Sequence, residues 1–122
     1  CNCAQAVACS FCQEFGIDEN EMFRIAEGFG LGMGVMEMCG ALSGMAMIIG
    51  LSNSRGNTEE GSGSKGDTYK KLRTYIQKFK EKNGSCICRE LKGVETGKVL
   101  CSCPQCITDA VALTEEYLAE NR

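Results

Sequence analysis

Ten cysteines stand among 122 residues, and no histidine accompanies them. At this density, cysteine chemistry decides how the chain folds and what it does. The absence of histidine excludes Ser-His-Asp and Cys-His catalytic systems, histidine-ligated zinc hydrolases and histidine-ligated haem. Thiolate and thioether sulfurs remain as soft ligands, and they suit zinc, copper(I) and iron–sulfur clusters.

The redox compartment follows from the kind of fold. Disulfide-bonded secreted scaffolds are small, rich in loops and poor in helix. This chain is 43% hydrophobic, and its apolar residues recur at helical spacing. We therefore expect a reducing cytoplasm in which the thiols serve metal or redox chemistry. The chain begins at Cys1, inside a cysteine motif and not at a methionine, so we expect residues to precede it, and export stays open.

Charge is distributed unevenly along the chain. The net charge of −3 gives no general attraction to nucleic acid, and we expect no nucleic-acid partner. Residues 61–104 nevertheless carry 10 basic and 4 acidic groups, against 2 and 8 in residues 1–60. The basic segment is either a solvated lysine-rich helix face or a docking surface for an acidic redox partner.

Hydrophobic periodicity predicts an all-α fold, a compact single-domain bundle of about five helices spanning residues 1–122. The predicted helices cover residues 4–15, 19–27, 35–51, 67–83 and 104–120, with one or two further turns at 86–91. Residues 52–66, rich in glycine and serine, form a predicted flexible loop inside this domain. The apolar segment 35–51 contains Glu37, three glycines and a serine, and we predict a buried helix there and no membrane span.

Cysteine spacing points to a site near the C-terminal helix. Cys101, Cys103 and Cys106 combine a CxC with a CxxC at the start of the last predicted helix, and Cys86 and Cys88 form another CxC. The turn between the two groups is only about a dozen residues long, so its ends can meet. Crowded thiolates repel one another unless a cation, a proton or oxidation relieves them. We therefore predict one metal centre for these five cysteines, with an oxidative disulfide between Cys86 and Cys101 as the competing account.

Glycines mark a second feature of the predicted site. The run Gly28–Gly34 lacks a preceding strand and is no nucleotide-binding loop, but its alternating glycines allow positive φ and close backbone approach. We predict that Gly30, Gly32, Gly34 and Gly40 bring their amides to a thiolate cofactor site. The alternative is a loop simply squeezed between helices.

Cys39 falls in the middle of the apolar segment 35–51. At a mid-helix, apolar position we expect a raised thiol pKa and an inert side chain unless a metal or a second sulfur compensates. The neighbouring small residues of 40–44 let another helix pack closely and are compatible with a homodimer.

Five strings of residues together resemble the C_GCAxxG_C_C family of small redox-active proteins. They are Cys3-Ala4-Gln5-Ala6-Val7, Gly28–Gly34, Cys39-Gly40-Ala41-Leu42-Ser43-Gly44, Cys88-Arg89-Glu90-Leu91 with Gly93, and Cys106 leading into Ala110-Val111. The resemblance implies that Cys3, Cys39, Cys88 and Cys106 are the shared site cysteines. It also implies a redox-active or metal-binding role in bacterial or archaeal metabolism of the anaerobic type.

The cysteines beyond those four enlarge the predicted ligand set and raise the prospect of a larger or second cluster. The predicted metal ligands are Cys3, Cys39, Cys88, Cys106, Cys86, Cys101, Cys103, Cys1 and Cys12. We predict an iron–sulfur protein that transfers electrons to a redox partner or senses redox state, an accessory protein more than a stand-alone enzyme. Two alternatives stay open: a metal-free thiol–disulfide redox protein, and a zinc- or copper(I)-binding protein.

Overall fold

The computed structural model describes residues 1–59, 61 and 63–121. Within those residues there are six α-helices and no β-strand, so the predicted all-α class is confirmed. The helices are α1 (Cys3–Phe11), α2 (Glu19–Ala26), α3 (Gly40–Asn53), α4 (Lys65–Asn83), α5 (Cys88–Lys92) and α6 (Cys103–Glu120). None of these described helices is long and apolar enough to cross a membrane.

Capping residues set most helix ends where the sequence predicts them. The Asp18 carboxylate accepts from the Glu21 amide and starts α2, and Gly16 ends the preceding turn with φ +71°. The Ser102 hydroxyl caps α6, with Pro104 in the first turn. Gly93 ends α5 in the left-handed region, as Gly84 ends α4. Local chemistry alone therefore specifies these boundaries.

Helix α3 lies at the centre and packs on α1, α4 and α6. Its buried Leu42, Met45, Ile48 and Ile49 meet aromatic side chains such as Phe79 from α4, which is fully buried. Each such side chain contributes about 1.5–3 kcal/mol by leaving water. Packing in this core holds α1, α3 and α6 together and so sets the relative positions of their N-termini.

Close packing of α1 on α3 depends on one glycine. A Cβ on Gly44 would stand 2.8 Å from the Ala4 carbonyl oxygen and 2.9 Å from the Val7 Cβ. The small-residue surface predicted as compatible with a homodimer is thus covered by α1 of the same chain. A homodimer stays a prediction that needs a different surface.

The predicted helix over residues 35–51 is wrong at its N-terminal end, because α3 begins at Gly40. Residues 37–39 instead pair with 86–88: the Cys39 amide donates to the Cys86 carbonyl at 2.9 Å, and Met38 bridges Ile87 antiparallel. These main-chain bonds between distant segments compete with helix formation, and sequence periodicity does not contain them. The pairing brings Cys39 beside the segment that carries Cys88.

The connection between α3 and α4 covers residues 54–64, close to the predicted loop over 52–66. Glu60 and Ser62 of that loop lie outside the described residues. The flexibility of the loop stays a prediction. The two helices that the loop joins are held together beside it. The side-chain amide of Asn53, at the end of α3, donates to the Asp67 carboxylate and the Thr68 hydroxyl in α4.

Candidate metal centre

Seven of the ten cysteines line one cavity of about 410 Å³. They are Cys1, Cys3, Cys39, Cys88, Cys101, Cys103 and Cys106. The rest of the lining is mainly apolar, with a single charged side chain among the described lining residues, Lys92. Sequence spacing predicts that the segments 86–88 and 101–106 meet, and both of them reach this cavity. The starts of α1 and α3 reach it as well.

Four helices begin at the cavity with a cysteine. Cys3 is the first residue of α1, Cys88 of α5 and Cys103 of α6, and Cys39 is the residue that caps α3. Free amides at a helix N-terminus and the helix dipole favour negative charge there, and at α3 the amides of Ala41 and Leu42 help to lower the pKa of Cys39. Asn2 fixes the start of α1 by exchanging hydrogen bonds with Gln5 at 2.9 and 2.8 Å.

Cys39 differs from its sequence prediction. It caps α3 instead of lying mid-helix, and its pKa is lowered to about 7, not raised. The main cause is a hydrogen bond with the Cys106 thiol, assisted by the amides of Ala41 and Leu42, which outweigh the cost of burial. The predicted mid-helix position of Cys39 is therefore wrong, because α3 starts five residues later than the periodicity indicates, whereas the second sulfur that the prediction allowed to compensate is supplied by Cys106.

Cys106 is the hydrogen-bond partner of Cys39 and stays in its protonated form. Its hydrogen bond with Cys39, together with burial, raises the pKa of Cys106. The Cys106 thiol also approaches the Cys101 carbonyl oxygen at 3.8 Å. The pair behaves as a thiolate beside a thiol, joined between α3 and α6.

Burial raises the pKa of the other cavity thiols. The pKa of Cys3 rises to about 12 through burial, with the nearby Cys103 and Cys39 adding to the rise. Burial also raises the pKa of Cys88, which the Lys92 ammonium opposes, and of Cys101. These groups give up their protons readily only when a cation stands in the cavity.

The predicted cofactor glycines occupy different environments. Gly40 lines the cavity, and a Cβ there would stand 3.0 Å from the Phe29 carbonyl oxygen. Gly32 is buried, with a Cβ position 3.0 Å from the Cys88 Cβ, and Gly30 is buried against Asn2. Gly34 is exposed and faces open space. Cofactor contacts from these glycines stay a prediction. The position of Gly40 in the cavity lining gives that prediction its most direct support.

Strain accompanies this loop. Leu31, Met33 and Met36 have positive φ, at 52°, 60° and 58°, without being glycine. Each left-handed residue of this kind costs about 1–2 kcal/mol and persists only where its surroundings hold it. A hydrogen bond of 3.1 Å from the Glu37 amide to the Gly32 carbonyl closes the turn.

Two predicted ligands lie away from the cavity lining. Cys86 is half-buried against the core, and its carbonyl holds Cys39 in place through the main chain. Cys12 is fully buried in a separate cluster that includes Ala8 and Met22. Burial, followed by the nearby Glu19 carboxylate, raises the pKa of Cys12. Ligand roles for Cys86 and Cys12 stay predictions.

No group of three or more Cys, His, Asp or Glu side chains in the described part of the chain closes on one point as a single ion would need. The cavity thiols instead surround a volume. Sequence reasoning also missed Lys92 and Leu31 as lining residues. The spacing of Lys92, four residues after Cys88 and directly after the helical turns predicted at 86–91, was the signal that could have found it.

The sequence model of the family described as "Putative redox-active protein (C_GCAxxG_C_C)" matches residues 1–117. No curated protein and no solved structure matches the chain.

Proposed function

Since the chain belongs to the C_GCAxxG_C_C family of redox-active proteins, we propose that its cysteine cavity holds an iron–sulfur cluster that serves electron transfer or redox sensing. The observation that carries the proposal is the convergence of seven cysteines on one cavity of about 410 Å³. Iron–sulfur clusters are bound by cysteine thiolates, usually four, so the donor set is of the right kind and more than sufficient.

The number of thiols favours a polynuclear group over a single ion. A structural zinc ion takes four ligand atoms about 2.0–2.3 Å from one point, whereas seven cysteines line this cavity. Thiols placed around a volume suit a cluster, which is larger than an ion. When bound, the cluster would supply one-electron chemistry at the cavity.

The protein's own part is to favour negative charge at one thiol and to surround the thiols with apolar side chains. The pKa of Cys39 is lowered to about 7 by Cys106 and by the amides that open α3. Cys3 and Cys103 lie at the starts of two further long helices, α1 and α6. Apolar lining residues, Leu91 among them, limit the access of water to the sulfurs and so influence the potential of whatever they bind.

The test is anaerobic preparation followed by reconstitution with ferrous iron and sulfide. We expect a coloured protein with iron and acid-labile sulfide in stoichiometric amounts and an electron paramagnetic resonance signal on reduction. Metal analysis of the same sample by mass spectrometry separates iron from zinc and copper. A colourless protein without iron after reconstitution contradicts the proposal, and stoichiometric zinc or copper(I) in its place favours the metal-binding alternative.

A metal-free dithiol function is the second candidate, favoured by sulfur–sulfur hydrogen bonds between Cys39 and Cys106 and between Cys3 and Cys103. Oxidation of either pair by a small-molecule disulfide would form one protein disulfide and release two reduced thiols of the oxidant. A reversible two-electron thiol titration in protein that binds no metal would support this candidate. Titration only after metal loss would leave the cluster as the function.

A further inference from the structure

The loop between α2 and α3, which reaches the cavity at Leu31, exposes three apolar side chains. Leu31, Met33 and Val35 are 47%, 59% and 59% exposed, and Leu31 also lines the cavity. Single exposed apolar residues are ordinary, but three from one loop beside a cavity that opens to solvent mark an interaction surface. We name these three residues the apolar rim.

The apolar rim is held in shape before any partner arrives. The Arg89 guanidinium donates to the Val35 carbonyl oxygen at 3.1 Å and so ties the loop to α5. Positive φ at Leu31 and Met33 turns two of the side chains outward in a conformation that few sequences adopt unaided. A surface that is already ordered loses little conformational entropy when it binds.

Basic side chains flank the apolar rim. Arg89 and Lys92 are three residues apart on α5 and so lie on neighbouring positions of one helical face. Lys92 is exposed and lines the cavity, where the described lining residues include no carboxylate. Glu37, 3.8 Å from Arg89, offsets one of the two charges. The cavity edge is therefore locally positive on a chain whose net charge is −3.

We infer that the apolar rim, together with Arg89 and Lys92, is the docking surface for an acidic one-electron redox protein. Carboxylates of that partner would face Lys92, because Glu37 already offsets the charge of Arg89, while its cofactor approaches the cavity along Leu31. In the transfer step, the reduced partner loses one electron and the cluster in the cavity gains it. The inference rests on the proposed function for this transfer step, whereas docking itself needs only the surface.

Docking is measured first, with oxidised flavodoxin as the acidic probe. Titrating it into isotope-labelled protein at low salt should shift the amide signals of residues 31–35 and 89–92, and salt should weaken the effect. The measurement works with or without bound iron, so it separates failure of the docking surface from failure of the proposed cluster. Shifts confined to other regions, or none at low salt, overturn the inference.

Electron transfer from reduced flavodoxin is measured next on reconstituted protein by rapid mixing. Lys92→Glu should lower the bimolecular rate at low salt by about tenfold, because like charges then face each other. Met33→Ser, which leaves the charges unchanged, should also lower it. Lys70→Glu on α4 is the matched control, since it makes the same charge change on an exposed residue away from the cavity, and should retain the wild-type rate within about twofold.

A cytochrome c, which is basic, is the probe of opposite charge. Lys92→Glu should speed its reaction with the reduced protein while slowing that of flavodoxin. Equal effects of Lys92→Glu and Lys70→Glu, or a wild-type preference for the basic probe, would overturn the inference. Circular dichroism of each variant confirms that helix content is retained.

Discussion

Helix α1 carries cysteines near both of its ends, and the two ends lie in different surroundings. Cys3 opens the helix at the cavity, with Cys103 and Cys39 close enough to raise its pKa further. Cys12 follows the other end, fully buried among Ala8, Met22 and other apolar side chains. Its partner in sequence, Cys9, has a pKa raised by burial and then by Cys12 and Glu19.

The difference between the two ends shows that spacing alone does not make a ligand. The CxxC of Cys9 and Cys12 meets no thiol from another helix in the described part of the chain, and its amide contacts come from Cys12 and Gln13 in the four-residue turn that Cys12 begins. The cavity brings thiols from several helices together, because four helices begin at one place. The following predictions test whether this division between cavity thiols and packing thiols is correct.

The largest expected effect is loss of the metal centre. Cys39→Ser should abolish iron incorporation, because it removes the one thiolate stabilised by both a thiol and helix amides. Analysis of bound iron and sulfide after reconstitution measures this loss of iron incorporation. Cys9→Ser is the matched control and should incorporate iron as the wild type does. Full iron content in Cys39→Ser would move this residue from the site to the core.

The surplus cavity thiols should matter next. Replacing Cys101 and Cys103 together with serine should lower iron content and change the visible spectrum, because both residues line the cavity. The comparison is the double replacement of Cys9 and Cys12 with serine, which lies outside the cavity. An unchanged spectrum in the first variant would restrict the cavity ligands to Cys1 and the four cysteines of the family pattern.

The pH dependence of alkylation should separate Cys39 from the packing thiol Cys12 in metal-free protein. Because the pKa of Cys39 is lowered to about 7, its thiolate fraction should reach half near pH 7 and level off above pH 8. The pKa of Cys12 is raised from its usual value, so its alkylation should still be increasing at pH 9. Mass spectrometry after iodoacetamide pulses gives both profiles, and parallel profiles would contradict the assignment.

Two glycines of α3 test how the cavity is positioned. Gly44→Ala should destabilise the fold by about 1–3 kcal/mol, because the added methyl group meets the backbone of α1. Gly50→Ala, with open space at its Cβ position, should stabilise by up to about 1 kcal/mol through helix propensity. Urea unfolding measures the unfolding free energy of both variants. Changes of the same sign in the two variants would refute the close contact between Gly44 and α1.

The smallest effect is expected from Cys12→Ala. Removing one sulfur from a packed apolar cluster should cost about 1 kcal/mol of unfolding free energy. Iron content should not change. Loss of iron in this variant would show a second metal centre near the end of α1 and would end the division between the two cysteine groups.

Much of the fold was predictable from short-range signals. Asp18, Gly84 and Gly93 set helix ends through capping and left-handed geometry, which depend only on neighbouring residues. The start of α3 was not predictable in this way. Residues 37–39 pair with 86–88, almost fifty residues away, and no local pattern reports such a contact.

By itself, the sequence determined the helical class, most helix boundaries and the choice of sulfur as the only soft ligand. It also carried the family pattern that includes Cys3, Cys39, Cys88 and Cys106. The tertiary structure alone decided that seven thiols share one cavity, that Cys39 caps a helix and that Lys92 lies among them. The physical reason is range: propensity and capping act over a few residues, whereas a cavity forms from side chains that only the packing of α1 on α3 and α6 brings together.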